Sequence, residues 1–352
     1  MFRLAGWGLG ISGVLFVAVI GALLAADILP ATGKIVFFTT PTRARGGKTY
    51  LVDVDREFRH YLFTLPLGVS RVALSPDGRR AAFVAERFDE TTRLYTTDLS
   101  GRHAVNISGS WGYNDFPAWS PDSRRLAFIA AAEGDFPNLY AVNADGSGLQ
   151  RLSDQPVSFQ APAWSPDGSQ VAFVAGDIQV VDAASGSLRW RVNPLRGGYN
   201  NLAWSPDGRW LAFIAFDGFA LGLYVLDADG GNLRRLTPDT LDVRRYAWSP
   251  DGRRLALAAL QSDNADVYVA DAACDFTLDG AAARGLRRCG LRRLTDHAGF
   301  DWLPAWAPDG AWIAFISYRE RGAQLNLIQP DGSGLRRLIG QDVGDLQPVW
   351  LP

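Results

Sequence analysis

"PAWSPD" occupies residues 117–122 and returns unchanged at 162–167. It persists as "LAWSPDG" at 202–208, "YAWSPDG" at 246–252 and "PAWAPDG" at 304–310, and in shortened form as "LSPDG" at 74–78. A catalytic motif is needed once in a chain. A string needed once per structural unit marks a repeat protein.

Indexed on the residue before the proline, the units fall at Ser75, Ser120, Ser165, Ser205, Ser249 and Ala307, in steps of 45, 45, 40, 44 and 58 residues. After each box comes a short apolar run, among them "RRAAFVA", "RRLAFIA" and "RWLAFIA". A second run follows ("LYAVNADG", "LYVLDADG", "LNLIQPDG"), then a third ("LQRLS", "LRRLT", "LRRLI"). With the "PAW" run in front, each unit reads as four short strands joined by turns. Four strands per ~40–50 residues, repeated, describe a β-propeller blade.

The two ends fix the number of blades. Before the first box, "KIVFFTT", "TYLVDVD" and "RHYLFTL" supply three strands without a leading one. The chain stops at "QPVWLP", a leading strand without followers, and Trp350 lies one normal step after Trp306. The expected fold is therefore all-β: a seven-bladed propeller over 34–352, closed by pairing of its terminal strands, with about 46 residues per blade.

The repeated residues have structural duties. Proline presets φ, the aspartate hydrogen-bonds nearby backbone, and glycine accepts positive φ. Trp119, Trp164, Trp204, Trp248, Trp306 and Trp350 recur at one position, with Leu74 in their place in the second blade. They should pack between blades, since a ligand does not need six identical contacts.

In these boxes and the apolar runs behind them, the chain resembles the TolB-type, WD40-like β-propeller repeat, over about residues 34–352. TolB itself carries an additional α/β domain ahead of its propeller. No such domain fits between Ala26 and Lys34, so TolB's particular partners are not carried over. Similar propellers precede prolyl-oligopeptidase-type hydrolase domains, but no G-x-S-x-G elbow occurs here.

The amino terminus is of another kind. Leu4 to Ala26, "LAGWGLGISGVLFVAVIGALLAA", contains no charged residue. As a helix these residues would span ~34 Å, enough for a ~30 Å hydrocarbon core. Residues 1–26 read as an uncleaved membrane anchor, with a cleaved signal peptide as the alternative, and 27–33 as a short linker. Cys274 and Cys289, the only cysteines, sit in one segment, "CDFTLDGAAARGLRRC". A local disulfide bracing the long sixth unit fits export, and places the propeller on the extracytoplasmic side. The alternative is a secreted or periplasmic protein.

Antiparallel order puts the "SPDG" turns and the "DADG"-like turns on one face. The loops between second and third strands, and those between blades, lie on the other. The second set varies: "WGYNDFP", "VSFQAP", "LRGGYNN", "LDVRRY", "HAGFDWLP", "DVGDLQP". Varied loops on a rigid scaffold are where binding resides. The candidate rim is Asp115, Phe159, Gln160, Tyr199, Asn200, Arg244, Asp301, Trp302 and Asp345. On the other face, paired arginines such as Arg79–Arg80, Arg124–Arg125 and Arg253–Arg254 are either neutralised by turn aspartates or form a basic ring facing anionic lipid.

Net charge is -2, which advertises no nucleic-acid partner. The three histidines, His60, His103 and His297, lie in different blades, so neither a metal site nor a cofactor is expected. The expected function is binding or scaffolding of a protein or peptide partner. The alternative is a glycan-acting hydrolase or lyase, with Asp115 and Asp301 across the channel mouth.

Overall fold

The computed structural model of the chain describes residues 33–38, 48–54, 58–64, 69–86, 91–98, 103–109, 112–132, 135–195, 198–275, 290–319, 322–340 and 348–350. The expected anchor and linker lie almost wholly outside these residues, as do Cys289 and Asp345. Among the described residues no helix is long and apolar enough to cross a membrane.

The described residues form seven antiparallel sheets of four strands each. The third is representative: Tyr113–Trp119, Arg125–Ala131, Asn138–Asn143 and Gln150–Arg151, adjacent in chain order. The first sheet draws on both ends of the sequence. Val349–Trp350 pairs with Lys34–Phe38, Ile35 opposite Trp350 and Val36 opposite Val349. The leading strands of neighbouring sheets touch one another, which places them innermost.

Apolar alternation explains the packing. Second and third strands are buried on both faces, as in Leu126, Ala127, Phe128, Ile129 and Ala130, because each sheet is covered on both sides by neighbours. Seven apolar clusters lie between consecutive sheets. One of them joins Ile35, Val52 and Val54 of the first sheet to Leu303, Ile316 and Leu325 of the last.

The box works as a turn with a built-in hydrogen-bond set. Ser120 Oγ donates to Asp122 Oδ1 at 2.6 Å and accepts from the Arg125 N–H at 2.8 Å, while the Arg124 N–H reaches Asp122 at 3.0 Å. The same set recurs at Ser75, Ser165, Ser205 and Ser249. The final position is left-handed, φ 71° at Gly168 and 60° at Ser123, where glycine is absent.

The tryptophans pack between sheets as their recurrence implies, and each also has a polar task. Trp119 Nε1 donates to the Ala73 carbonyl at 3.0 Å, and Trp164 to Ala118 at 3.0 Å. Trp248 reaches Ala203 at 3.2 Å and Trp350 reaches Ala305 at 3.1 Å. The acceptor is always the residue before the equivalent position of the preceding sheet. Trp204 and Trp306 are buried in the same place without a partner for their Nε1.

A second set of staples works further from the axis. Thr96 Oγ1 donates to Ala144 O at 2.7 Å, Arg125 Nη1 to Ala183 O at 2.8 Å, and Trp190 Nε1 to Ala228 O at 2.9 Å. In each case the acceptor lies in the turn after the third strand of the following sheet. Outer strands are shorter than their sequence runs imply, often two residues. A hydroxyl takes over where the ladder stops: Ser108, Ser153, Thr237 and Thr295 accept the backbone N–H of Leu94, Leu139, Leu223 and Val267.

Candidate functional site

The mouth of the variable face is built by the leading strands, and a β-bulge decides which side chains reach it. The register shifts between Asp115 and Ala118, Asn200 and Ala203, Val243 and Arg245, and Trp302 and Ala305. The extra residue is left-handed at Phe116, Asn201 and Leu303, with φ of 57°, 54° and 55°. Because side chains alternate along a strand, one inserted residue exchanges the inward and outward sets.

The consequence is consistent around the ring. The residue five before the tryptophan position is buried at Val69, Asn114, Tyr199, Val243 and Asp301. The residue four before it faces the mouth, half-buried at Asp115 and Trp302 and exposed at Asn200 and Arg244. The fourth sheet is the control. Its leading strand, Ala163–Trp164, pairs without a register shift, and Phe159, at the otherwise buried position, is 58% exposed.

Two expected rim residues are therefore corrected. Asp301 is 0% exposed, accepts a hydrogen bond from Ser317 Oγ, and is ion-paired to Arg319 at 3.2 Å. Burial raises its pKa, opposed by the Ser317 hydrogen bond and the Arg319 charge. Tyr199 is likewise 0% exposed; its hydroxyl donates to Asn193 Oδ1 at 2.5 Å and accepts the Leu195 N–H at 3.0 Å. Trp302 is half-buried against the cluster between the last and first sheets, so it is partly core.

The remaining groups meet in pairs across sheet boundaries. Arg71 Nε is 2.7 Å from Asp115 Oδ1, and its guanidinium lies 4.1 Å from the Phe116 ring centroid. Asp115 also accepts the Phe116 N–H at 2.7 Å and the Tyr113 hydroxyl at 3.2 Å. Phe159 meets Tyr113 edge-on at 5.3 Å. Gln160 Nε2 donates to Asn200 Oδ1 at 2.9 Å, and Asn201 Nδ2 to the Arg244 carbonyl at 3.4 Å. Arg244 is ion-paired to Asp242. Arg71, Asn201 and Arg245, each three residues before the tryptophan position and beside the bulge, escaped the sequence reading.

Asp115 is thus neutralised by Arg71, and Asp301 is sealed behind the mouth. The two carboxylates do not form the expected pair at the opening. Among the described residues, no group of three or more histidine, cysteine or acidic side chains is arranged to hold a metal ion.

On the turn face the paired arginines divide into two groups. Arg80, Arg125 and Arg254 lie over the next sheet's Trp119, Trp164 and Trp306, at 5.2, 5.5 and 5.0 Å from the ring centroids. These contacts leave the three guanidinium groups half-buried. Arg79, Arg124, Arg209 and Arg253 stay exposed, each two residues after a turn aspartate that accepts its backbone N–H. Asp145 and Asp331, exposed in other turns of this face, add further negative charge.

The profile of a family described as the TolB beta propeller domain matches residues 34–192 and 202–352. The Tol-Pal system protein TolB of Syntrophus aciditrophicus is 35% identical over 49 residues, 14% of this chain and 11% of that protein. This chain therefore matches about a tenth of that curated relative's length. Among solved structures, TolB from Acinetobacter baumannii superposes with a TM-score of 0.52 at 19% identity, covering 94% of this chain and 85% of that one. Oligogalacturonate lyase from Vibrio parahaemolyticus gives a TM-score of 0.55 at 14% identity, covering 88% and 85%. At these identities the two structures share the fold.

Proposed function

The chain belongs to the TolB β-propeller domain family, and from that premise we propose that it is a binding or scaffolding protein whose variable face recognises a protein or peptide partner. One observation carries the reading. Every exposed phenylalanine among the described residues, Phe136, Phe159, Phe216, Phe219 and Phe300, lies on the variable face. Aromatic groups exposed in several loops at one end of a rigid scaffold suit that end to binding. The opposite end is closed by near-identical turns whose polar groups are bonded to one another, and its exposed large apolar side chains include the leucines Leu149, Leu188 and Leu335.

We propose further that the ring closes through Val349–Trp350 and that residues 4–26 anchor it in a membrane, with the propeller on the extracytoplasmic side. The strand pairing at Ile35 and Trp350 supports the first, and the uncharged apolar stretch supports the second. The Val54 N–H donates to the Gly33 carbonyl at 2.8 Å, as the Ala144 N–H does to Arg124. Gly33 is thus on the turn face. An anchor preceding it would set that face toward the membrane and leave the variable face pointing away.

The glycan-acting alternative has no support of its own in the site, since Asp301 is buried and Asp115 ion-paired. Affinity capture from native membranes with the full chain, followed by mass spectrometry, tests the proposal. A partner lost from an Asn200→Ala/Arg244→Ala variant and kept by an Asp145→Asn/Asp331→Asn variant supports it. The reverse pattern rejects it.

A further inference from the structure

The variable face has a charge pattern distinct from its apolar one. Its described loop segments, 135–138, 153–160, 175–178, 216–220, 237–242, 261–264 and 295–300, contain aspartates but no lysine or arginine. Asp135, Asp154, Asp263 and Asp296 are exposed there, and none is ion-paired among the described residues. Asp135 adjoins Phe136, which is 74% exposed; Asp154 shares a loop with Phe159, and Asp296 shares one with Phe300. Phe219, 84% exposed, caps the 216–220 loop. Carboxylates and phenylalanines therefore share the outer loops of one face.

Among the described residues, Arg151 reaches these loops, donating to Asn138 Oδ1 at 2.9 Å and to the Ser153 carbonyl at 2.7 Å, and the other arginines of this face are engaged elsewhere. Arg71 and Arg244 stand at the inner mouth, paired to Asp115 and Asp242, with Arg245 beside them. Arg293 and Arg319 are engaged by Asp266 and Asp301. Arg235, buried, holds Asp217 and Asp239. Among the described residues, none of these arginines is ion-paired to Asp135, Asp154, Asp263 or Asp296.

We propose, building on the reading of this face as the partner-binding surface, that its partner presents a basic amphipathic segment. Lysine or arginine side chains would meet Asp135, Asp154, Asp263 and Asp296, and apolar side chains would pack against Phe136, Phe159, Phe219 and Phe300. Charge complementarity selects this occupant. Anionic lipid would be repelled by the same carboxylates, and a second copy placed face to face would set aspartate against aspartate.

The test uses the full chain in discs of uncharged lipid, with empty discs as the blank. Fluorescence anisotropy follows binding of a short amphipathic lysine–leucine peptide and of its glutamate–leucine counterpart. The lysine peptide binds, the glutamate peptide does not, and added salt weakens the complex. Combined Asp135→Asn, Asp154→Asn, Asp263→Asn and Asp296→Asn substitutions reduce affinity on the order of tenfold or more, with thermal stability unchanged. Phe136→Ser/Phe219→Ser also weakens it, whereas Asp145→Asn/Asp331→Asn, on the turn face, leaves it as it was.

Equal binding of both peptides, or equal loss in the turn-face control, overturns the proposal. So does preferential binding of phosphatidylglycerol vesicles, or phenylalanine-dependent dimerisation seen by sedimentation. If the captured membrane partner crosslinks to this face through an acidic segment, the partner chemistry is wrong while the binding function stands. If it crosslinks to the turn face, the functional reading fails first.

Discussion

The indole of Trp119 donates a hydrogen bond to the backbone carbonyl of Ala73, 3.0 Å away in the preceding sheet. The tryptophan thus ties blades together with a directional bond as well as with buried surface. Four of the six box tryptophans have such a bond, and two, Trp204 and Trp306, do not.

That difference makes a prediction. Replacing tryptophan by phenylalanine removes buried area everywhere, but it removes a hydrogen bond only at Trp119, Trp164, Trp248 and Trp350. Leaving a half-buried carbonyl unpaired costs about 1 kcal/mol, whereas deleting an unpartnered N–H costs nothing of that kind. Denaturant titrations should show Trp119→Phe more destabilised than Trp204→Phe by about that amount. Equal losses would contradict the assignment. Trp204→Ala, losing the whole side chain, should cost roughly 3–5 kcal/mol.

Closure by the last strand is testable by truncation. Deleting residues 347–352 removes the pairing with Ile35 and Val36 and the Trp350–Ala305 bond. An open edge and an unfilled seventh interface result. A loss on the order of 5 kcal/mol should lower the melting temperature by about ten degrees. A truncated protein melting with the intact one would show that the ring does not depend on this strand.

Acidification should act in two opposite steps. Asp122, Asp167 and Asp251 are held below the ordinary carboxylate value, first by the serine hydroxyls of their own turns. Their contribution is complete above the unfolded value of about 4 and is lost as pH falls through their lower folded values. Burial raises Asp266 and Asp301, against the pull of Arg293 and Arg319 respectively. For these two the folded state binds the proton more tightly, so stability rises as pH falls toward about 4. Melting temperature should therefore peak on the mildly acidic side, then fall. Asp301→Asn should shrink the rise and Asp122→Asn the fall; a flat profile from neutral to acid would refute both assignments.

Cys274 is buried at the end of the sixth sheet's apolar cluster, and no described cysteine is free. If it bonds Cys289, closing a ~15-residue loop stabilises by about 3 kcal/mol at most. Thiol labelling of unreduced protein should find no reactive cysteine, and reduction should lower the melting temperature. Two labelled thiols would remove one argument for export.

The turns, the tryptophan position and the blade number were legible because each is dictated once per unit by local chemistry. The rim was only half legible. Position in the variable loops placed Asp301 and Tyr199 at the mouth, but the bulges that turn them inward have no glycine to announce them: Phe116, Asn201 and Leu303 adopt positive φ themselves. The one available hint was apolar, since Val69, Tyr199 and Val243 share the buried position. The stacking of Arg80 on Trp119 was equally hidden, because it joins residues 39 apart that belong to different sheets.

The most direct measurement of the central claim is site-specific photo-crosslinking in native membranes. One variant carries the crosslinking residue at Asn200 on the variable face, another at Asp145 on the turn face. The account predicts a discrete protein adduct from position 200 that is absent from position 145. A discrete adduct from position 145, with none from 200, would contradict it.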